Sequence, residues 1–375
     1  MFRKGEALMA KKGKKKFSSF LNNSIDFTLL LTVLLLLALG LVMVLSASSP
    51  TALSESGKSY KYFVKQAIFA GLGIVAMFTI SKIDYRFYKK FYKIGYILSI
   101  LLLIAVLVVG KEVNGSKRWI YIKETLSFQP SEVVKFLMIV FYAGILSRDK
   151  DELGSFFKGL VKHIAFLIPI IGLLLFEPHF SVSIVIMGIC VIMMLVAGCK
   201  LSHMVIPGLG VGIPGLIALI IFEPYRLKRV TTFLNPWSDS LGDGWQVIQS
   251  LYAIGSGGLF GVGLGQSKQK YLYLPEPYND FIFSVLAEEL GFIGCAFVII
   301  LFAIFIWRGI LIAMRAPDMF GSLVAIGITA QVAIQVIINI AVVTSSMPAT
   351  GMPLPFFSYG GTALFILLCQ MRYFV

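Results

Sequence analysis

Charge is scarce in this chain. Only 14% of its 375 residues are charged, with 19 acidic residues against 33 basic ones. A soluble domain carries about 25% charged and 45–50% apolar residues. Here 58% are hydrophobic, an excess that no larger core absorbs, which excludes an ordinary water-soluble globule. Cysteine is sparse as well. Cys190, Cys295 and Cys369 lie inside apolar runs and Cys199 ends one, with no partner at metal-ligand spacing. This argues against a disulfide framework and predicts free thiols. The alternating pattern that barrel strands need is missing too.

In place of these features stand apolar runs of about twenty residues, each long enough to cross about 30 Å of hydrocarbon. In lipid only helices or closed barrels satisfy their backbone groups. The sequence therefore predicts an all-α polytopic membrane protein of about ten transmembrane helices. They fall at about 26–47, 62–81, 94–110, 131–147, 161–177, 180–198, 203–222, 281–308, 318–344 and 356–372. Residues 1–25 form a Lys-rich tail that would lie near anionic headgroups. The tail is not read as a cleaved signal, because the first apolar run is full-length and more spans follow.

The net charge of +14 reads as topogenic rather than as a nucleic-acid footprint. With the N-terminus cytoplasmic, 20 of the 33 basic residues fall in inside loops, which places both termini inside. The outside then receives 48–61, 111–130, 345–355 and one large loop, about 223–280, belonging to a transmembrane domain of residues 26–375. Within that loop, Trp245–Tyr252 reads as a short amphipathic helix in the interface.

Several polar groups sit where chemistry could use them. Asp280 stands at the outer mouth of a span that begins with Phe281-Ile282-Phe283. It serves either as an N-cap or as a general base at a water–lipid boundary, where desolvation raises a carboxyl pKa and the helix dipole lowers it. Glu132 and Lys135, after Gln129-Pro130-Ser131, are spaced to pair with each other, yet ionisable groups within a span usually face a cavity. Gln335 and Asn339 share a helical face and suit helix–helix hydrogen bonding. Glu177 and His179 flank Pro178 at an outer turn, a weak metal signal. The glycine-rich run Gly255–Gly265 lacks the strand context of a nucleotide loop, although with Arg226, Lys228, Arg229, Lys268 and Lys270 nearby it could cradle a phosphate headgroup. Met347–Gly361, with three prolines, approaches the last span as irregular backbone, which is tolerated at membrane depth only when buried in protein or lining a cavity.

Taken together these residues resemble the SEDS family (shape, elongation, division and sporulation). The matches are dispersed from Asp26 onward. They include Ser46-Ala47-Ser48, Lys65-Gln66, Asn114-Gly115, Arg118-Trp119, Gln129-Pro130-Ser131-Glu132 and Lys135. The most specific are Tyr273-Leu274-Pro275-Glu276, Asp280-Phe281-Ile282-Phe283, Glu288-Glu289, Pro353-Leu354-Pro355-Phe356 and Ser358-Tyr359-Gly360-Gly361. Gln249 to Phe283 is similar to the FtsW/SpoVE branch. Glu177-Pro178-His179-Phe180 departs from the family's Pro-Asp-Leu-Gly, so no role is carried there.

The resemblance implies a peptidoglycan glycosyltransferase that polymerises lipid II outside the cytoplasmic membrane, in division or sporulation, beside a class B penicillin-binding protein. It maps the family's essential loop aspartate onto Asp280. Arg229, Lys270, Arg118 and Lys135 are the expected cations for the departing diphosphate, with Glu132 orienting Lys135. Glu276 and Ser358, from the matching motifs, join the substrate-binding set. Mg2+ or Mn2+ could assist, although no ligand set is visible. A lipid II flippase and a non-catalytic scaffold for the transpeptidase remain alternatives.

Overall fold

The computed structural model describes residues 26–374 except 114–115, 124–125, 243 and 272. The basic tail and the Asn114-Gly115 pair lie outside the described residues, as does the side chain of Arg226. Helices dominate: α1 (Phe27–Ser56), α2 (Lys61–Ile80), α3 (Arg86–Lys90) and α4 (Tyr92–Val109) come first. A small antiparallel sheet follows, β1 (Lys111–Val113), β2 (Ser116–Lys123) and β3 (Leu126–Phe128), in that spatial order. Then come α5 (Pro130–Arg148), a π turn at Phe156–Val161 running into α6 (Lys162–Phe176), and α7 (Phe180–Ala197). The interrupted run α8 (Leu201–Pro207) and α9 (Ile213–Ile221) leads to the large loop, which holds α10 (Pro224–Leu234) and α11 (Trp245–Gly257). The chain ends with α12 (Ile282–Arg315), α13 (Met319–Val343) and α14 (Gly361–Met371).

Each predicted span is helical over most of its length, except that residues 356–360 of the last one are irregular. Eight of the helices are long and apolar enough to cross a membrane, and Gly361–Met371 is a shorter apolar helix. The run at 203–222 is two helices around a π turn, with Pro207 and Pro214 removing backbone donors. Local signals set the ends. Asp26 accepts from Leu29 N at 3.0 Å and Asp318 from Gly321 N at 2.7 Å as N-caps, while Gly57 closes α1 in the left-handed region. Helices α5 and α13 are the most enclosed and pack on each other, with α7 against both. Helices α2 and α4 leave most of their apolar side chains outward, as lipid-facing spans do.

Helix α12 has 34 residues, or about 51 Å at 1.5 Å each, well beyond the hydrocarbon thickness. It is broken at Gly291, where φ is +65°. The glycine run that could have held a phosphate is placed at this break. Val262 N and Gly263 N donate to the carbonyls of Glu288 and Glu289, at 3.0 and 3.1 Å. Phe292 N and Ile293 N donate to the carbonyls of Gly258 and Leu259, at 2.9 and 3.2 Å. The loop thereby satisfies backbone groups that the interrupted ladder frees, as a low-dielectric setting demands. Close approach requires glycine: a Cβ on Gly261 would stand 2.2 Å from Glu289 O, at φ +79°. Gly261→Ala should lower stability by about 2–4 kcal/mol, from forced overpacking plus left-handed strain. The check is thermal unfolding of the detergent-purified protein.

Helix α11 is longer than the interfacial helix expected at 245–252, and it is seated on protein. Val247, Ile248, Ser250, Ala253 and Gly257 are buried, and the helix packs on α12. Ser250 Oγ lies 2.7 Å from both Ser284 Oγ and Val343 O, joining the large loop to α12 and α13.

Candidate functional site

A cavity of about 450 Å3 opens where the large loop, the sheet and the broken approach to α14 meet the helices. Polar residues Lys65, Arg118, Gln129, Glu132, His179, Glu276, Asp280 and Gln331 share its wall with apolar Phe69, Val182, Leu364 and Leu367. Such a wall suits an amphiphile with a polar head and an apolar tail.

Asp280 is on this wall and half-buried. The N-cap of α12 is Phe281, and Asp280 makes no side-chain cap, so the capping role is not the one it fills. The turn is held through its backbone instead. Asn339 Nδ2 of α13 donates to Asp280 O and to Met352 O, each at 2.8 Å. The Asn339–Gln335 face thus joins two loops at the cavity rather than two helices, with Gln335 on the wall itself. Burial pushes the Asp280 carboxyl up to about 6, and neighbouring Glu276 adds to the shift, while Arg229 and Arg118 oppose it. A carboxylate with this value is ionised at neutral pH yet basic enough to take a proton.

The other expected site residues divide. Arg118 lines the cavity and donates through Nη2 to Pro178 O. Glu132 lines it too, and its Oε1 is 2.8 Å from Lys135 Nζ, so Lys135 is the buried partner that fixes the acid. Glu276 holds a left-handed φ of +51° on the cavity rim, and its Oε2 accepts from Asn279 Nδ2 at 2.6 Å. Ser358 lines the wall, but its hydroxyl donates to Asn279 O and accepts from Leu354 N, both at 2.7 Å. It staples the broken approach to the Asp280 turn. Arg229 lies next door, in a second cavity of about 250 Å3 with Lys228 and Trp245, and donates to Ala349 O at 2.7 Å.

Lys270 is not brought to the cavity. Its ammonium is buried 2.8 Å from Glu289 Oε1 and 3.0 Å from Ser46 Oγ. Glu289 also accepts from the Ser46 hydroxyl at 2.6 and 2.7 Å, while Glu288 accepts from Ser267 Oγ and Lys268 N at 2.5 and 2.9 Å. A buried acid needs such partners, so this lysine anchors the loop end to α1 and α12.

Sequence reasoning passed over Lys65, Gln129, Gln331 and His179 as wall residues. Lys65 and Gln129 stood within the matched motifs; the other two carried no signal that marks a cavity. Glu177 is buried, with its carboxyl pushed up to about 8 by burial against an opposing pull from Arg118. His179 is held well below the usual histidine range by burial and by the positive charges of Arg118 and Lys135. Among the described residues no three His, Cys, Asp or Glu side chains converge on a metal position.

Known proteins share this architecture. The family described as cell cycle protein, covering FtsW, RodA and SpoVE, matches residues 27–373. Stage V sporulation protein E of Bacillus subtilis is 46% identical over 345 residues, 92% of this chain and 94% of that protein. The probable peptidoglycan glycosyltransferase FtsW of Coxiella burnetii is 43% identical over 347 residues, 91% of this chain and 92% of that one. A chain from the solved structure titled "Structural coordination of polymerization and crosslinking by a peptidoglycan synthase complex" is 29% identical. It superposes with a TM-score of 0.76, over 93% of this chain and 96% of that one. The rod shape determining protein RodA of Thermus thermophilus is 27% identical, with a TM-score of 0.67 over 93% and 95% of the two chains. With its helices, motifs and nearly full length matched, the chain belongs to the FtsW/RodA/SpoVE family of multi-pass membrane proteins, the SEDS family.

Proposed function

We propose that the chain is an inverting peptidoglycan glycosyltransferase of the cytoplasmic membrane, using lipid II as its substrate. The observation that carries this reading is Asp280: an uncapped carboxyl raised to about 6 on the wall of a cavity that is polar on one part and apolar on another. Asp280 takes the proton of the acceptor sugar's 4-hydroxyl as that oxygen attacks the anomeric carbon of the donor. The bond from that carbon to the diphosphate breaks on the opposite side, inverting its configuration, and the electron pair leaves with the diphosphate. Arg118 and Lys65 on the wall, with Arg229 beyond it, supply positive charge for the leaving group. The apolar residues Phe69, Val182, Leu364 and Leu367 suit a polyprenyl chain. Relatives that carry the names FtsW and SpoVE support a role in division or sporulation. The synthase-complex likeness supports a class B penicillin-binding protein as the partner that crosslinks the product.

The purified chain supplied with lipid II in detergent should form glycan polymer, read by gel after labelling, with the partner transpeptidase present. Lipid movement across vesicles without polymer in that assay would make it a flippase instead. Transpeptidase stimulation without polymer would make it a scaffold.

A further inference from the structure

The second cavity, of about 250 Å3, lies across a shared wall from the Asp280 cavity. Pro275 lines the second and Glu276 the first, and Ala349 and Gly351 divide in the same way. A Cβ on Gly351 would stand 3.3 Å from Asp280 Oδ2. Two residues of chain span about 7 Å at most, so the second cavity begins close to the proposed base. Arg229 lines it too, and its charge acts on the Asp280 carboxyl. Helix α10 contributes Thr232 and Phe233 to the lining, and α11 contributes Trp245 and Gln246. All four are half-buried rather than sealed, so a ligand can reach them. The turn before α11 is tight, since a Cβ on Gly244 would stand 2.0 Å from Pro236 O. Trp245 Nε1 donates to Tyr273 O at 2.6 Å, and Gln246 Nε2 to Pro275 O at 3.5 Å. The indole and the amide are therefore held in place by the loop itself.

The lining decides the class of ligand. Among the described residues neither Trp245 nor Phe233 stacks on another aromatic ring, and the Thr232 hydroxyl and Gln246 Oε1 make no hydrogen bond. Two aromatic rings beside a hydroxyl, an amide and a guanidinium suit a pyranose. The sugar's C–H face lies against aromatic carbon, and its hydroxyl and N-acetyl groups exchange hydrogen bonds at the edge. The prenyl tail has its apolar wall in the other cavity, along Phe69, Leu364 and Leu367. A strand under extension must also hold the sugars next to its reacting end within reach of Asp280. We propose that the second cavity is a saccharide subsite, in which Trp245 and Thr232 bind a ring of the glycan strand adjoining the acceptor sugar.

This assignment rests on the glycosyltransferase reading, so affinity is measured apart from turnover. The probe is a peptide-free, lipid-free tetrasaccharide of alternating N-acetylglucosamine and N-acetylmuramic acid, titrated into the full chain in detergent. Undecaprenyl diphosphate is the sugar-free arm, and lipid II in an Asp280→Asn background is the lipid-linked arm. Trp245→Ala should weaken the tetrasaccharide about tenfold, the size of a lost aromatic contact. Thr232→Val should weaken it about fivefold, while Thr232→Ser keeps the hydroxyl and stays within about twofold. Neither Trp245→Ala nor Thr232→Val should move the Kd for undecaprenyl diphosphate by more than about twofold, which also reports that each variant is folded. In polymerisation of lipid II both should shorten the strands formed, because a strand held less tightly leaves between additions. Unchanged tetrasaccharide affinity in both variants overturns the inference, as does a wild type that binds no tetrasaccharide or an equal weakening of undecaprenyl diphosphate. A loss confined to lipid II would seat the donor's sugar there and overturn the strand assignment. Tetrasaccharide binding through Trp245 in a chain that makes no polymer would keep the saccharide subsite and remove the polymerase reading, so the two failures are distinct.

Discussion

Asp280→Asn is expected to remove glycan polymerisation while leaving expression and fold intact. A general base contributes roughly 10²–10⁴ in rate, and the amide that replaces it has no basic lone pair at neutral pH. The fold should not suffer, because the carboxyl caps no helix and the Asn339 bond reaches only its backbone carbonyl. The sign of the stability effect follows from the raised pKa. A carboxyl held above its ordinary value favours the folded state while protonated. That contribution is lost as pH rises from 3.8 to about 6. Wild type at neutral pH therefore carries the cost of an ionised, desolvated carboxylate, and the variant does not. Its thermal midpoint at pH 7.5, a buffer value of about that size chosen above the titration, should equal or exceed that of wild type. The same group predicts that wild-type kcat/KM is flat above about pH 6 and falls about tenfold per unit below it. Full polymerisation by the Asn variant, or a rate indifferent to pH across that range, would sink the base assignment.

Lys270→Met should damage the fold severely. It leaves Glu289 charged in a buried place with only the Ser46 hydroxyl and the Ser267 amide near its oxygens. Breaking a buried pair by removing one partner costs about 3–5 kcal/mol, a large part of the 5–15 kcal/mol by which proteins are typically stable. The double variant Lys270→Met with Glu289→Gln removes both charges and keeps acceptors for Ser46 and Ser267. It should recover expression and a monodisperse elution profile, and with them polymerisation. A folded but inactive double variant would instead place Lys270 at the diphosphate.

The charged residues of the large loop show where reading by position runs out. Lys270 and Arg229 look alike in sequence: basic, in a glycine- and aromatic-rich loop, on one side of a span. The fold sends Lys270 to Ser46, 224 positions away, and leaves Arg229 beside the cavity region, holding Ala349. His179 is the reverse case. A lone histidine at a turn carries little weight until α5, β2 and α7 bring Gln129 and Arg118 around it. The glycine run behaved in the same way, because its role depends on a break in a helix that begins seventeen residues after the run ends.

Hydropathy is a property of consecutive residues, so the apolar runs determined where the membrane helices lie and the scarcity of soluble character, although eight helices, not ten, are long and apolar enough to cross, with 203–222 interrupted and Gly361–Met371 short. The motifs around Asp280 determined where a carboxyl meets the water–lipid boundary, since that boundary is simply the end of a run. Tertiary structure decided which loop cations face a common cavity, which are consumed by buried acids, and which carbonyls hold the aspartate in place. Several of those outcomes depend on partners far apart in sequence, 59 positions for Asn339 and Asp280, 120 for Arg229 and Ala349 and 224 for Lys270 and Ser46, and side-chain pairing at such separations is set by how helices pack rather than by any local pattern.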